Sequence, residues 1–79
     1  MKNLTQIEIQ KQYIVVKVKA EEPILSRLVS MGFARGSHVQ VLKNTATRQT
    51  YKIRVEDSEV ALRREEAELV FVKNDGEAK

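Results

Sequence analysis

Cysteine is absent from this chain of 79 residues. Neither a disulfide nor a thiolate metal site can support the fold, and a reducing compartment is the expected setting. Histidine occurs once, at His38. One imidazole and scattered carboxylates cannot close a coordination shell, and Glu65, Glu66 and Glu68 read as solvated charge among arginines, so no metal is expected. No apolar run exceeds the four residues Tyr13 to Val16, far short of the ~20 that a membrane-crossing helix needs. The opening MKNLTQIEIQ has no apolar stretch of the kind a secretory signal carries. The expected location is therefore cytosolic.

Aromatic residues number four: Tyr13, Phe33, Tyr51 and Phe71. Tyr51 and Phe71 fall at strand positions expected to look inward, and Phe33 at a helix cap. Small barrels that bind nucleic acid, or proline-rich peptides, use exposed aromatic platforms, and that signature is incomplete here. Nucleic-acid binding is not the expected role. Catalysis is not expected either. One histidine on a strand cannot supply a nucleophile, a base and a group to orient the base, and Ser26, Ser30 and Ser37 suit helix-surface and turn chemistry. No cofactor is implied.

Of the three glycines, two stand four positions apart in SMGFARGSHV. A phosphate-cradling loop needs strand, glycine-rich turn and then helix, so that helix N–H groups meet the anion. Here the order is helix, turn, strand, and the motif lysine is missing. Gly32 is expected to end a helix at positive φ with Phe33 closing the cap, and Gly36 to take the third position of a type II turn.

What the chain does have is 42% hydrophobic and 32% charged residues, the balance of a soluble globular domain. One small domain over residues 1–73 is expected, with a frayed polar tail at 74–79. Such a chain buries only about 60% of the surface its unfolded form exposes. Net charge is +3, unevenly spread. Between Glu22 and Glu56 there is no acidic residue, yet Arg27, Arg35, Lys43, Arg48, Lys52 and Arg54 fall there; the remaining eight basic residues face eleven acidic ones. A basic middle between acidic ends suggests an asymmetric surface, although alternating solvent-facing positions on strands give the same pattern.

Hydrophobic periodicity predicts five strands and one helix. Ile14, Val16 and Val18 alternate with Val15, Lys17 and Lys19 in a first strand over Tyr13–Lys19, giving one apolar face. Glu21 and Glu22 before Pro23, the only proline, suit a helix start, and Ile24, Leu25, Leu28 and Met31 recur at helical spacing. Val39 and Val41 open a second strand. A polar hairpin loop from Asn44 to Arg48 leads to Tyr51, Ile53 and Val55, which alternate with Lys52 and Arg54. A tight turn at Glu56–Ser58, a fourth strand at Val60 and Leu62, a single helical turn in RREEA and a fifth strand at Leu69–Val72 complete the chain. Five short strands with a helix after the first close most economically as a small, partly open antiparallel barrel.

The segments LSRLVSMGFARGSHVQVL and IRVEDSEVALRREEAELVFV together resemble the FeoA family, small accessory proteins of bacterial ferrous-iron uptake. The matching positions are Leu28 through Gly32, Gly36, Val39-Gln40-Val41, Ala61-Leu62-Arg63, Glu66-Ala67 and Leu69 to Val72, so the resemblance spans about Leu4 to Val72. The chain departs from the family at Gln10, Arg35, the Thr45–Thr50 hairpin and Asp57-Ser58, where proline or glycine is usual. The resemblance implies an SH3-like barrel and a partner, the membrane iron transporter FeoB with its cytosolic G-protein domain. The same fold forms the C-terminal domain of iron-dependent transcription repressors, which would follow a helix-turn-helix region not found here. A free-standing interaction module is the expectation. Arg27, Arg35, Arg48, Lys52 and Arg54, with Val29 as an apolar anchor, are the candidate partner-contacting residues, and Gly32 and Gly36 the structural turns.

Overall fold

The computed structural model describes residues 1–75. Six strands form one antiparallel sheet: β1 (Lys2–Asn3), β2 (Gln12–Val18), β3 (His38–Asn44), β4 (Thr50–Val55), β5 (Ser58–Arg63) and β6 (Val70–Asn74). Helix α1 (Ile24–Ser30) lies between β2 and β3, and the short α2 (Arg64–Ala67) between β5 and β6. The strand order is β1-β6-β2-β3-β4-β5. Consecutive hairpins join β3, β4 and β5, whereas β6 returns to pair with both β2 and β1. The result is a small, partly open barrel-like sheet with edges at β1 and β5.

Alternation on β4 follows the sequence. Tyr51, Ile53 and Val55 are buried while Lys52 and Arg54 are exposed. Val39, Val41, Leu62, Val70 and Val72 meet them from neighbouring strands, and Leu28 and Phe33 close the core without any exposed surface.

Four expectations change. The five strands are six, because Lys2–Asn3 pairs with Val72 and Phe71; a two-residue bridge carries no periodicity to read. The apolar face of β2 is Tyr13, Val15 and, beyond a bulge, Val18, which packs on the core opposite Val70; Ile14 and Val16 are off that face and half-buried. A register shift between Val15 and Lys17 leaves Val16 as an extra residue in a β-bulge, and such a residue breaks the two-residue repeat on which a face is read. Phe71 does not look inward. It is half-buried on the outer side, because Val70 and Val72 take the core positions. Asn74 is the last residue of β6, opposite Tyr13, rather than the start of a frayed tail; residues 76–79 of that expected tail lie outside the described residues.

The end of α1 forms as the glycine spacing requires. Phe33 N–H donates to Leu28 O at 3.0 Å and Gly32 N–H to Val29 O at 3.0 Å, the paired bonds of a Schellman cap. Gly32 has φ +109° and Gly36 φ +93°, and Ser37 N–H closes the second turn on Ala34 O at 2.9 Å. The two positions differ in room. A Cβ on Gly32 would sit 3.3 Å from Val55 Cγ2, while one on Gly36 meets nothing within 4 Å. Gly36→Ala is therefore expected to cost about 1 kcal/mol from backbone strain alone, and Gly32→Ala up to about 3 kcal/mol. Parallel urea titrations read the order directly; equal midpoints for the two variants contradict it.

Candidate interaction surface

The outward face of β3, β4 and β5 collects the cations of the acid-free stretch. Arg54 pairs in register with Glu59 and Lys52 with Ala61, while Thr50 faces Arg63. Across the other ladder Lys43 stands opposite Lys52, brought there by a second bulge at Leu42. Like charges directly opposite one another on adjacent strands are unfavourable by some tenths of a kcal/mol. Glu59 is the carboxylate that relieves them. Its Oε1 lies 3.3 Å from Lys52 Nζ and its Oε2 3.0 Å from Arg54 Nη2. Lys43, Arg48 and Arg63 have no ion-pair partner among the described residues.

Arg48 stands at the crest of the β3–β4 hairpin with φ +58°. Thr45 organises this loop. Its N–H donates to Thr50 O, its carbonyl accepts from Arg48 N–H at 2.9 Å, and its hydroxyl oxygen accepts from Gln49 N–H at 3.0 Å. Lys43, Asn44, Thr45, Thr50 and Lys52 line a shallow depression beside it.

Of the residues nominated from sequence, Arg48, Lys52 and Arg54 gather on this face. Arg27, Val29 and Arg35 sit on α1 and the turn that follows it. Val29 is 49% exposed, as an anchoring position needs. Arg35 is exposed in the Ala34–Ser37 turn. Arg27 is committed elsewhere: its guanidinium pairs with the carboxylate of Glu66 on α2. Glu66 is thus not solvated charge. It is buried, and its other oxygen accepts the N–H of Arg63 at 3.1 Å, capping α2. Lys43 and Arg63 were missed as members of the basic face. Lys43 was signalled by the acid-free stretch, but Arg63 arrives only through the β4–β5 register.

No group of three or more histidine, cysteine, aspartate or glutamate residues could hold a metal ion among the described residues. His38 instead meets Glu56, whose carboxylate accepts the His38 backbone N–H at 2.6 Å and lies 3.5 Å from its Nδ1. That backbone N–H is the main cause holding the Glu56 carboxyl below its ordinary range. Glu59 is lowered by Arg54 and then Lys52, and Glu22 by the hydroxyl and then the N–H of Ser26 in α1. Carboxyls depressed in the folded state stabilise it above the unfolded value of about 4.3, and that contribution disappears as pH falls through the folded values. Thermal melts are therefore expected to fall below roughly pH 4.5, and less steeply in Glu56→Gln and Glu59→Gln. An unchanged pH profile in both variants removes these carboxylates from the account.

The domain model of the FeoA family matches residues 2–74. The chain belongs to the FeoA family. No curated protein matches it. Among solved structures, iron(II) transport protein A of Clostridium thermocellum superposes with TM-score 0.88 at 19% identity, covering 94% of this chain and 46% of that one. This FeoA chain therefore spans less than half the length of that relative. A FeoA of Stenotrophomonas maltophilia, complexed with zinc and described as a prokaryotic SH3 domain protein, has TM-score 0.80 and 25% identity, with 92% and 91% of the two chains covered. A manganese-dependent transcriptional repressor shares the fold at TM-score 0.84 and 18% identity, over 92% of this chain and 41% of that one. The fold of this chain is accordingly SH3-like, with Lys2–Asn3 as a sixth strand at one edge. No helix among the described residues is long and apolar enough to cross a membrane.

Proposed function

We propose that this FeoA-family chain is a non-enzymatic, cytosolic accessory protein of ferrous-iron uptake that acts by binding the cytosolic G-protein domain of a FeoB-type transporter. The family match over residues 2–74 carries the reading. Charge supports the contact surface: Lys43, Arg48, Lys52, Arg54 and Arg63 stand on or beside one face with Glu59. Such a face suits an acidic partner, and charges at the rim of an interface mainly raise the association rate and its salt dependence.

Lys43 and Arg48 test this most cleanly, because neither is tied to a carboxylate among the described residues. Lys43→Glu with Arg48→Glu is expected to slow association with the transporter domain about 10-fold or more at low salt, while leaving the melting curve nearly unchanged. Surface-immobilised kinetics at two salt concentrations reads the effect. An unaltered association rate returns the basic face to ordinary solvation. A random oligonucleotide that binds more tightly than the transporter domain replaces the reading with nucleic-acid binding.

A further inference from the structure

The free edge of β5 carries a pattern independent of that reading. Val55 and Ser58 flank a two-residue turn and face each other in register, so they are a hydrogen-bonded pair, and Ile53–Val60 and Tyr51–Leu62 repeat it. The backbone groups of Glu59, Ala61 and Arg63 consequently point away from β4. Arg63 N–H confirms that direction by donating to Glu66 Oε1 instead of to Thr50. No other backbone group among the described residues bonds to this edge. It offers the N–H and C=O of Glu59 and Ala61; the carbonyl of Arg63, the N-cap of α2, faces the first turn of that helix.

The side chains on the same three residues are exposed and read acid, small, base. We propose that β5 pairs antiparallel with β5 of a second copy of this chain, about a two-fold axis at Ala61. In that register Ala61 faces Ala61 and exchanges two backbone hydrogen bonds. Glu59 faces Arg63 of the second copy, so each carboxylate meets the opposing guanidinium. Arg63 has no ion-pair partner within its own chain among the described residues, and the exchange supplies one. The small methyl of Ala61 keeps the centre open. On the inner side Val60, half-buried, faces Leu62 of the second copy. Glu66 sets the limit of the pairing: with Arg63 N–H already bonded, the ladder cannot extend into α2.

A single pair of short strands buries far less than a standard interface, so the dimer is weak, with a dissociation constant on the order of 100 µM. Sedimentation equilibrium of the full chain is expected to show a reversible monomer–dimer mixture in that range. Glu59→Arg and Arg63→Glu each set like charges opposite one another, and each is expected to weaken dimerisation by ~100-fold. An equimolar mixture of the two variants restores both ion pairs and recovers the dimer. Ala61→Pro removes an N–H that faces away from β4, and it abolishes the dimer with the native charges in place. Circular dichroism establishes that each variant is folded. Amide exchange at Ala61 slows with protein concentration in the parent. A parent that stays monomeric to about 1 mM, a mixture that fails to dimerise, or a folded Ala61→Pro that dimerises like the parent overturns the proposal.

Discussion

Leu28→Ala is expected to lose about 2–5 kcal/mol of folding free energy, the range for deleting a fully enclosed leucine and leaving a cavity. Leu28 has no exposed surface. It is the buried residue of α1, and its carbonyl accepts Phe33 N–H in the cap that turns the chain toward β3. For a domain of this size total stability is about 4–12 kcal/mol, so the variant forfeits a large share of it and unfolds outright only if the parent sits at the low end. Val29→Ala is the matched control, one residue along the same helix but 49% exposed; it is expected to change stability by no more than about 0.5 kcal/mol. Urea titrations followed by circular dichroism compare the pair. Similar midpoints for Leu28→Ala and the parent contradict the packing of α1 on the sheet.

Arg27→Ala is the second large effect. It leaves the Glu66 carboxylate, whose side chain is only 7% exposed, with no opposing charge. Breaking a buried pair by removing one partner costs about 3–5 kcal/mol, and the lower end applies because Arg27 is itself 55% exposed. Glu66→Ala removes the charge and the bond to Arg63 N–H together, so its cost lies in lost capping, about 1 kcal/mol, and lost packing. The double variant should be less destabilised than the two single losses combined, by about 1–2 kcal/mol of coupling. Additive losses in the four-variant cycle would mean that the pair contributes nothing to the fold.

Local chemistry was legible in the sequence wherever one residue decided it. Gly32 and Gly36 announced the cap and the turn because each needs a positive φ that other residues resist. Tyr51, Ile53 and Val55 announced the face of β4 because no bulge interrupts them. The reading failed where distant pieces decided. The face of β2 is set by Val72 and Val39 on neighbouring strands, and the extra residue at Val16 hides that phase from any repeat. Phe71 lies outward because Val70 and Val72 hold the core positions of β6. Glu66 looked like surface charge because the arginine that satisfies it is 39 positions earlier. The candidate face was half legible for the same reason. The acid-free stretch named Lys52 and Arg54, while Glu59 and Arg63 joined them only through strand register.

The pairing of β1 with β6 sets Lys2 beside Val72 and Asn3 beside Phe71. Both strands therefore lie side by side at one margin of the sheet, two and three strands from β3. A unit with adjacent ends can be spliced into a host loop, or joined head to tail with another module, without parting any of its strands. The basic face and the β5 edge would survive such a graft, since both lie across the sheet from the junction. The architecture is a portable one: its two end strands and its basic face are at opposite margins of the same sheet.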